Sequence, residues 1–372
     1  MSHTIAIIEN NIISTNTVRK KLTRTLMENG YNVVVLTSGT EYQMNLARKN
    51  GFNVIDVDTS NQHPIDIFRY IRNLHRALKQ SQADVCLTFT MRPAIWGNCV
   101  TRKLSIPTIT NITGIGPLFN SYNPTYLIAQ ILYKIFLRKT AKVFFQNQDD
   151  LQLFVRNKLI QPAVAQLVPG SGIDYEFFKP MEAPKKNESF VFLYIGRLLR
   201  DKGVGEYVKA ARLLKQQGYP VECRIVGPMW NQNLKTNTIT KKELDTWVKD
   251  RIIVYYGEVI DVRSHIAACD CIVLPSYREG ASNVLLEASS MERPSITCDT
   301  TGCREIVSDG ETGLLCKVAD AEDLANKMKQ MLQLSPEQRR QMGVLGRQKV
   351  VKEFDKKFII DTYQAAIQQL VQ

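Results

Sequence analysis

Phe190-Val191-Phe192-Leu193-Tyr194-Ile195-Gly196-Arg197-Leu198-Leu199-Arg200-Asp201-Lys202-Gly203-Val204 runs from a continuous apolar stretch, through a basic loop bounded by glycines, into a helical pattern. Six successive apolar residues with aromatic and β-branched members read as a strand buried on both faces. A strand that feeds a helix through a short loop is one βα unit, and the same rhythm recurs on both sides of it. Downstream, Cys223-Arg224-Ile225-Val226-Gly227, Ile252-Ile253-Val254-Tyr255-Tyr256, Cys271-Ile272-Val273-Leu274-Pro275 and Ser295-Ile296-Thr297-Cys298 alternate with helical periodicity. Upstream, short apolar runs at 5–8, 33–36, 54–57, 85–87, 108–112 and 143–145 alternate with amphipathic segments of about 10 to 17 residues. This is the pattern of an α/β chain with doubly wound, parallel sheets.

Between the two series, Lys179-Pro180-Met181-Glu182-Ala183-Pro184-Lys185-Lys186-Asn187-Glu188 is polar, proline-bearing and aperiodic, as a connection between domains should be. The expected division is a first Rossmann-like domain over 1–180 and a second over 181–353. Residues 354–372 read as a C-terminal helix that crosses back to the first domain. Two such units are expected to face a cleft.

A chain of 372 residues is too long for one core, since single cores stop growing near ~250 to 300 residues. Hydrophobic residues at 44% and charged residues at 23% lie near globular averages, which excludes disorder and fibrous repeats. No apolar stretch reaches the ~18 residues of a membrane span, and the start lacks a charged region followed by an apolar one. A cytoplasmic protein is therefore expected. The eight cysteines form no C-x-x-C pair and lie mostly in strand-like runs, which suits reduced core thiols. The four histidines are scattered without metal-ligand spacing, so no metal and no cofactor are expected. His75 falls in a basic helical pattern and reads as a surface residue.

Of the net charge of +12, residues 1–170 carry +10 (19 Lys and Arg against 9 Asp and Glu) and the remainder +2 (29 against 27). The excess favours an anionic partner: phospholipid headgroups, nucleic acid or an anionic lipid substrate. Composition does not choose among them.

Ligands of open α/β sheets bind beyond the carboxyl ends of the strands, so the loops there are where binding chemistry is expected. Gly196 to Val204 sets Arg197, Arg200 and Lys202 at the entrance to a helix, where cations and helix amides together suit a diphosphate. By itself such a loop reads first as a solvated basic turn, and only its position at a strand's carboxyl end brings the two readings level. In Leu274-Pro275-Ser276-Tyr277-Arg278-Glu279-Gly280-Ala281-Ser282-Asn283-Val284-Leu285-Leu286-Glu287-Ala288, a strand end leads through a glycine loop into a helix. Glu279 on the loop can accept hydrogen bonds from sugar hydroxyls, and the amides of Gly280, Ala281, Ser282 and Asn283 can hold an anion. Read without function, Ser282 caps the helix and Glu287, in its early turns, complements its dipole.

Together these two loops resemble the donor motifs of the family 4 retaining glycosyltransferases, whose fold, GT-B, pairs two Rossmann-like domains. Glu279 to Glu287 matches that family's E-x7-E motif, and Gly196-Arg197 with Lys202-Gly203 its diphosphate motif. Gly257-Glu258-Val259 resembles its nucleobase loop, and Gly302-Cys303-Arg304-Glu305-Ile306-Val307 with Asp309-Gly310-Glu311-Thr312-Gly313-Leu314-Leu315 extends the match. The resemblance covers 190–355 and is weaker in the first domain. There, Phe89-Thr90-Met91-Arg92-Pro93-Ala94-Ile95-Trp96-Gly97 and Asn111-Ile112-Thr113-Gly114-Ile115-Gly116-Pro117-Leu118-Phe119 are similar to bacterial enzymes that extend polyprenyl-diphosphate-linked saccharides in capsule, O-antigen and protein-glycan synthesis.

The resemblance implies a nucleotide-sugar donor, with UDP as the expected nucleotide. Arg197, Lys202 and Glu279 would be the catalytic groups. Gly196, Val259, Gly280, Ala281, Ser282, Asn283 and Glu287 would complete the donor site, with Glu287 on the ribose. Asn10, Arg92, Thr113, Gly114 and Gly116 would meet the acceptor, a lipid-linked saccharide at the inner face of the cytoplasmic membrane. Two departures stand out: Glu9-Asn10-Asn11-Ile12-Ile13-Ser14 replaces the glycine pair of the family's first loop, and no histidine follows the fourth strand near Met91-Arg92. The apolar and basic stretch from Tyr126 to Lys142 reads as a helix suited to a membrane surface.

Three other readings compete with transfer. A sugar-nucleotide epimerase would need acid and base side chains that the scarce histidines do not supply. A nucleic-acid-binding protein would leave the donor-like loops idle, and none of its usual motifs is present. An inactive scaffold would not need Arg197, Lys202, Glu279 and Glu287 together.

Overall fold

The computed structural model describes residues 2–58, 64–116, 124–182, 189–229 and 237–371. Pro117 to Phe119 and the Ala183 to Glu188 part of the polar connection lie outside them. The chain divides into two compact units, Met1–Ser171 with Lys357–Gln372, and Gly172–Lys356. The division thus falls nine residues before the expected boundary at 180. Residues 172–180 go with the second unit because Ile173 is pinned there: its amide donates to Phe354 O (2.7 Å) and its carbonyl accepts from Lys356 N (3.1 Å).

The first unit contains strands β1 (Thr4–Ile8), β2 (Asn32–Thr37), β3 (Asn53–Asp56), β4 (Val85–Phe89), β5 (Thr108–Ile112), β6 (Lys142–Phe145) and β7 (Ala165–Leu167). Its helices are α1 (Ile13–Asn16), α2 (Lys20–Glu28), α3 (Glu41–Lys49), α4 (Pro64–Ser81), α5 (Asn98–Lys103), α6 (Pro124–Phe136) and α7 (Gln148–Arg156). The strands pair in parallel in the order β3-β2-β1-β4-β5-β6-β7, so the order reverses between β1 and β4. Runs such as Val33 to Leu36 are buried on both faces because helices cover both. Ile5, Ile7, Val33 and Val35 point to one side, where the C-terminal residues Ile359, Ile360, Tyr363 and Ile367 complete the cluster. Ala6, Ile8, Val34 and Leu36 point to the other.

The second unit holds β8 (Phe190–Ile195), α8 (Val204–Gln216), β9 (Val221–Val226), α9 (Lys241–Lys249), β10 (Val254–Tyr255), α10 (Arg263–Ala267), β11 (Cys271–Leu274), α11 (Asn283–Ser290), β12 (Ser295–Cys298), β13 (Gly313–Cys316), α12 (Ala321–Gln333) and α13 (Pro336–Glu353). Its sheet is also parallel, in the order β10-β9-β8-β11-β12-β13, with the reversal between β8 and β11. One cluster, from Ile173 to Phe354, forms its core. The last helix, α14 (Lys356–Val371), returns to the first unit. These two parallel sheets with their helices are the GT-B fold class.

Several boundaries differ from the sequence reading. The helix expected to run to Lys142 ends as α6 at Phe136, continues as one tight turn over Leu137–Lys139, and gives way to the extended Thr140 (ψ 134), so Lys142 opens β6. Strands β7 and β13 are not marked in the sequence: Ala165-Gln166-Leu167 and Gly313-Leu314-Leu315-Cys316 hold no β-branched or aromatic residue. All eight cysteines are unpaired thiols, seven of them buried. Among the described residues no helix is long and apolar enough to cross a membrane.

Candidate active site

Five loops converge at the carboxyl edge of the second sheet, beside its strand-order reversal. The loop after β8 ends in a short turn, Arg200–Lys202, closed by Gly203 in the left-handed conformation (φ 71). A Cβ at Gly203 would lie 2.0 Å from the Pro275 carbonyl oxygen, so glycine is needed both for φ and for the approach of the β11 loop. The loop after β12 makes the same demand: Gly302 (φ 80) would place a Cβ 2.5 Å from Glu279 O. Backbone hydrogen bonds complete the clamp, from Tyr277 N to Asp201 O (2.9 Å), Glu279 N to Thr301 O (3.0 Å) and Ser282 N to Gly302 O (3.0 Å).

The clamp brings Lys202 and Glu279 face to face, with Nζ 2.7 Å from both carboxylate oxygens. Their side chains are 19% and 16% exposed, so solvent reaches the pair without dissolving it. Ser282 caps α11, its hydroxyl accepting from Leu285 N at 3.4 Å. The structure therefore sets a cation, a carboxylate and the amino end of a helix side by side, which suits a sugar joined to a diphosphate.

The other donor candidates lie on the neighbouring loops and on α11. Arg197 is exposed, and its carbonyl accepts from the Tyr194 hydroxyl (3.1 Å), which fixes the first turn of the loop. Gly257 O accepts from Gly227 N (2.7 Å), joining the β9 and β10 loops, while Val259 is half-buried against the core. Glu287 is the fifth residue of the eight-residue α11, in mid-helix instead of its early turns, so it does not complement the amino-end dipole. Burial pushes its carboxyl up to about 8, against the lowering pull of Lys356 and with a contribution from Asp261. Its charged neighbours are thus distinct from the Lys202–Glu279 pair.

In the first unit, the loops after β1 and β4 meet at that sheet's own strand-order reversal. Asn10 Nδ2 donates to Thr90 Oγ1 at 2.8 Å. Thr90 holds φ 71, a costly conformation for a β-branched residue and one that clusters at ligand sites. Arg92 lies with its guanidinium 5.4 Å from the Tyr70 ring centroid. Thr113, Gly114 (φ 122) and Gly116 (φ 52) follow β5. His75 is exposed on α4, as a surface residue should be.

Sequence reasoning missed the buried cluster behind this loop. Glu9 Oε1 lies 3.2 Å from Arg19 Nε, and both residues are buried. Thr15 donates to Glu9 Oε2 (2.9 Å), the Arg19 guanidinium stacks 4.0 Å from the Phe89 ring centroid, and Tyr363 of α14 donates to Asn111 Oδ1. Burial raises the Glu9 carboxyl above its ordinary range, and Arg19 and Thr15 draw it down. Only the place of Glu9 at a strand's end signalled it; nothing local marks Arg19 or Tyr363 as its neighbours.

Comparison with known proteins follows these two halves. Residues 177–349 match the family model described as glycosyl transferases group 1, and 11–147 the model described as glycosyl transferase 4-like. The chain is 24% identical over 333 residues, covering 85% of each chain, to the Campylobacter jejuni N,N'-diacetylbacillosaminyl-diphospho-undecaprenol alpha-1,3-N-acetylgalactosaminyltransferase. It is 26% identical over 273 residues, 69% of this chain and 68% of the other, to the Escherichia coli UDP-Gal:alpha-D-GlcNAc-diphosphoundecaprenol alpha-1,3-galactosyltransferase. With the Staphylococcus aureus capsular polysaccharide glycosyltransferase CapM it shares 29% identity over 173 residues, 46% of this chain and 44% of the length of that relative. Anabaena HepE, solved with UDP-glucose, superposes with a TM-score of 0.80 at 16% identity, covering 98% of this chain and 99% of the other. A Rickettsia africae glycosyltransferase superposes at 0.79 and 17%, covering 100% and 99%.

Proposed function

This chain belongs to the glycosyltransferases, a 4-like domain followed by a group 1 domain, and on that premise we propose that it moves a hexose or N-acetylhexosamine from a UDP-sugar to a polyprenyl-diphosphate-linked saccharide with retention of configuration. The observation that carries this reading is the Lys202–Glu279 pair at the amino end of α11. The donor relatives named above, one of them a UDP-galactose enzyme acting on a diphosphoundecaprenol acceptor, support the choice of nucleotide and lipid.

The main chemical demand is the charge that develops on the departing UDP. Lys202 and Arg197, helped by the amides of Gly280 to Asn283, stabilise it without a metal, one preorganised donor being worth about 3 kcal/mol. Glu279 orients donor-sugar hydroxyls and Glu287 the ribose. The bond from the anomeric carbon to the diphosphate oxygen breaks as the acceptor oxygen forms its own on the same face. The acceptor's hydroxyl proton passes to the leaving phosphate oxygen, so no protein base is needed. Asn10, Arg92, Thr113, Gly114 and Gly116 receive the acceptor, at the inner face of the cytoplasmic membrane.

Calorimetric titration with UDP, GDP and ADP, with and without magnesium, tests the donor half. Metal-independent UDP binding that weakens in Lys202→Ala is expected, followed by transfer from a UDP-sugar to a polyprenyl-diphosphate saccharide. If no nucleotide binds at millimolar concentration, the reading fails.

A further inference from the structure

Helix α6 is apolar on two opposite sides. Its inner side, Ala129, Tyr133 and the partly buried Phe136, packs on the first sheet. Its outer side presents Leu127, Ile128, Ile131 and Ile135 to solvent at 52%, 57%, 58% and 46% exposure. At 3.6 residues per turn these four share an arc of about 100°. A helix that is apolar on two sides is normally covered on both, and among the described residues nothing in the chain covers this side.

The neighbouring helices supply charge. Clusters that share Trp96 place α4, α5 and α6 on one face of the first sheet, with α4 against α5 and α5 against α6. Arg102 of α5 donates to Ile135 O of α6 (3.3 Å), tying the two together. On α4, Arg72, Arg76 and Lys79 line one open surface with His75 and Gln80, and Phe68 heads the same stripe at 74% exposure. Among the described residues no carboxylate pairs with Arg72, Arg76 or Lys79, whereas Arg69 is held by Asp58 and Asp66.

We infer that the outer face of α4, α5 and α6 docks this protein on an anionic bilayer, with the four aliphatics of α6 entering the boundary between headgroups and acyl chains. The inference deepens the peripheral association proposed above by naming the surface that makes it. An apolar strip flanked by cations is what such a boundary selects: aliphatic area partitions inward while Lys and Arg meet anionic headgroups. A second copy of this chain is the poorer occupant, since a symmetric contact would set these cations near their own images. Nucleic acid would use the cations and leave the aliphatics in water.

Co-sedimentation of the full chain with vesicles tests it, using phosphatidylcholine alone and mixed with phosphatidylglycerol. Binding to the mixed vesicles is expected to fall at least tenfold in Ile131→Glu/Ile135→Glu, each buried aliphatic being worth about tenfold. It should fall several-fold in Arg72→Gln/Arg76→Gln/Lys79→Gln and in high salt, where surface attraction is screened. UDP affinity and melting temperature, unchanged in both variants, show that the fold and donor site survive. Wild-type binding that ignores the α6 substitutions overturns this surface and leaves peripheral association standing elsewhere on the protein. A concentration-dependent dimer abolished by Ile131→Glu/Ile135→Glu, without vesicle binding, overturns it in favour of self-association. No vesicle binding at all overturns both the surface and the peripheral association. Transfer to a detergent-dispersed acceptor then reports separately on the glycosyltransferase reading.

Discussion

Lys202 Nζ lies 2.7 Å from each carboxylate oxygen of Glu279, across 77 residues of chain. The cation proposed for the diphosphate and the carboxylate proposed for the sugar thus neutralise each other, and a donor must part them. Each then gains a new partner in the same place, a phosphate for Lys202 and hydroxyls for Glu279.

Lys202→Ala is expected to lower kcat/KM about 100- to 1,000-fold, as loss of a preorganised donor to a developing anion does. Glu279→Gln keeps the shape but frees Lys202, so UDP alone should bind as well or better while transfer from the UDP-sugar falls. Calorimetry with UDP beside steady-state transfer rates separates the two. Equal losses of UDP affinity in both variants would contradict the division of roles.

Gly302→Ala places a methyl group 2.5 Å from Glu279 O at φ 80. Because the nearest atoms are backbone, relief requires the Glu279 loop itself to move. We expect a loss of about 2–4 kcal/mol in stability, with UDP-sugar binding lost before the fold. Thermal melting and donor titration on one sample check the order.

Glu287, with its carboxyl pushed up to about 8, is mainly protonated at pH 7. If ribose hydroxyls donate to its ionised form, donor binding must release protons, and affinity must rise from pH 6 toward pH 8. Titration in two buffers of different ionisation enthalpy reads the release directly, and Glu287→Gln should abolish it. The stability sign is opposite. A carboxyl raised above its unfolded value near 4.5 contributes stability at low pH that is lost as pH rises through about 8. Glu287→Gln should therefore raise the melting temperature at pH 8.5, by about 1–3 kcal/mol in stability, and change little at pH 4.

The buried Glu9–Arg19 pair makes a fourth case. Arg19→Met leaves a carboxylate in an apolar site, at a cost of about 3–5 kcal/mol. Because Glu9 is raised by burial and Arg19 opposes that rise, the deficit should grow between pH 5 and pH 8. Adding Glu9→Gln should recover most of it. Denaturant melts of the single and double variants measure the coupling.

Much of the second unit was legible. Phe190 to Ile195 and Cys271 to Leu274 are long apolar runs that only a two-sided burial explains, and each ends in a loop that carries chemistry. The need for glycine at 203 and 302 was visible as residue type, but its cause, the backbone of Pro275 and Glu279, was not. Strands β7 and β13 escaped because Ala165-Gln166-Leu167 and Gly313-Leu314-Leu315-Cys316 lack the β-branched and aromatic residues that mark a strand. The first unit was less legible at its ligand end. Asn10 and Thr90 are 80 residues apart, and their contact depends on parallel pairing of β1 with β4.

The amino-acid sequence by itself determined the periodicity, and with it two α/β units, because burial on both faces writes itself into consecutive residues. It also determined which loops hold cations, carboxylates and glycines. Only the tertiary structure decided that Lys202 meets Glu279, that Arg19 is buried on Glu9, and that Leu127, Ile128, Ile131 and Ile135 face outward. A parallel sheet brings together loops separated by whole helices, and whether an apolar side chain is covered depends on neighbours that no local window contains.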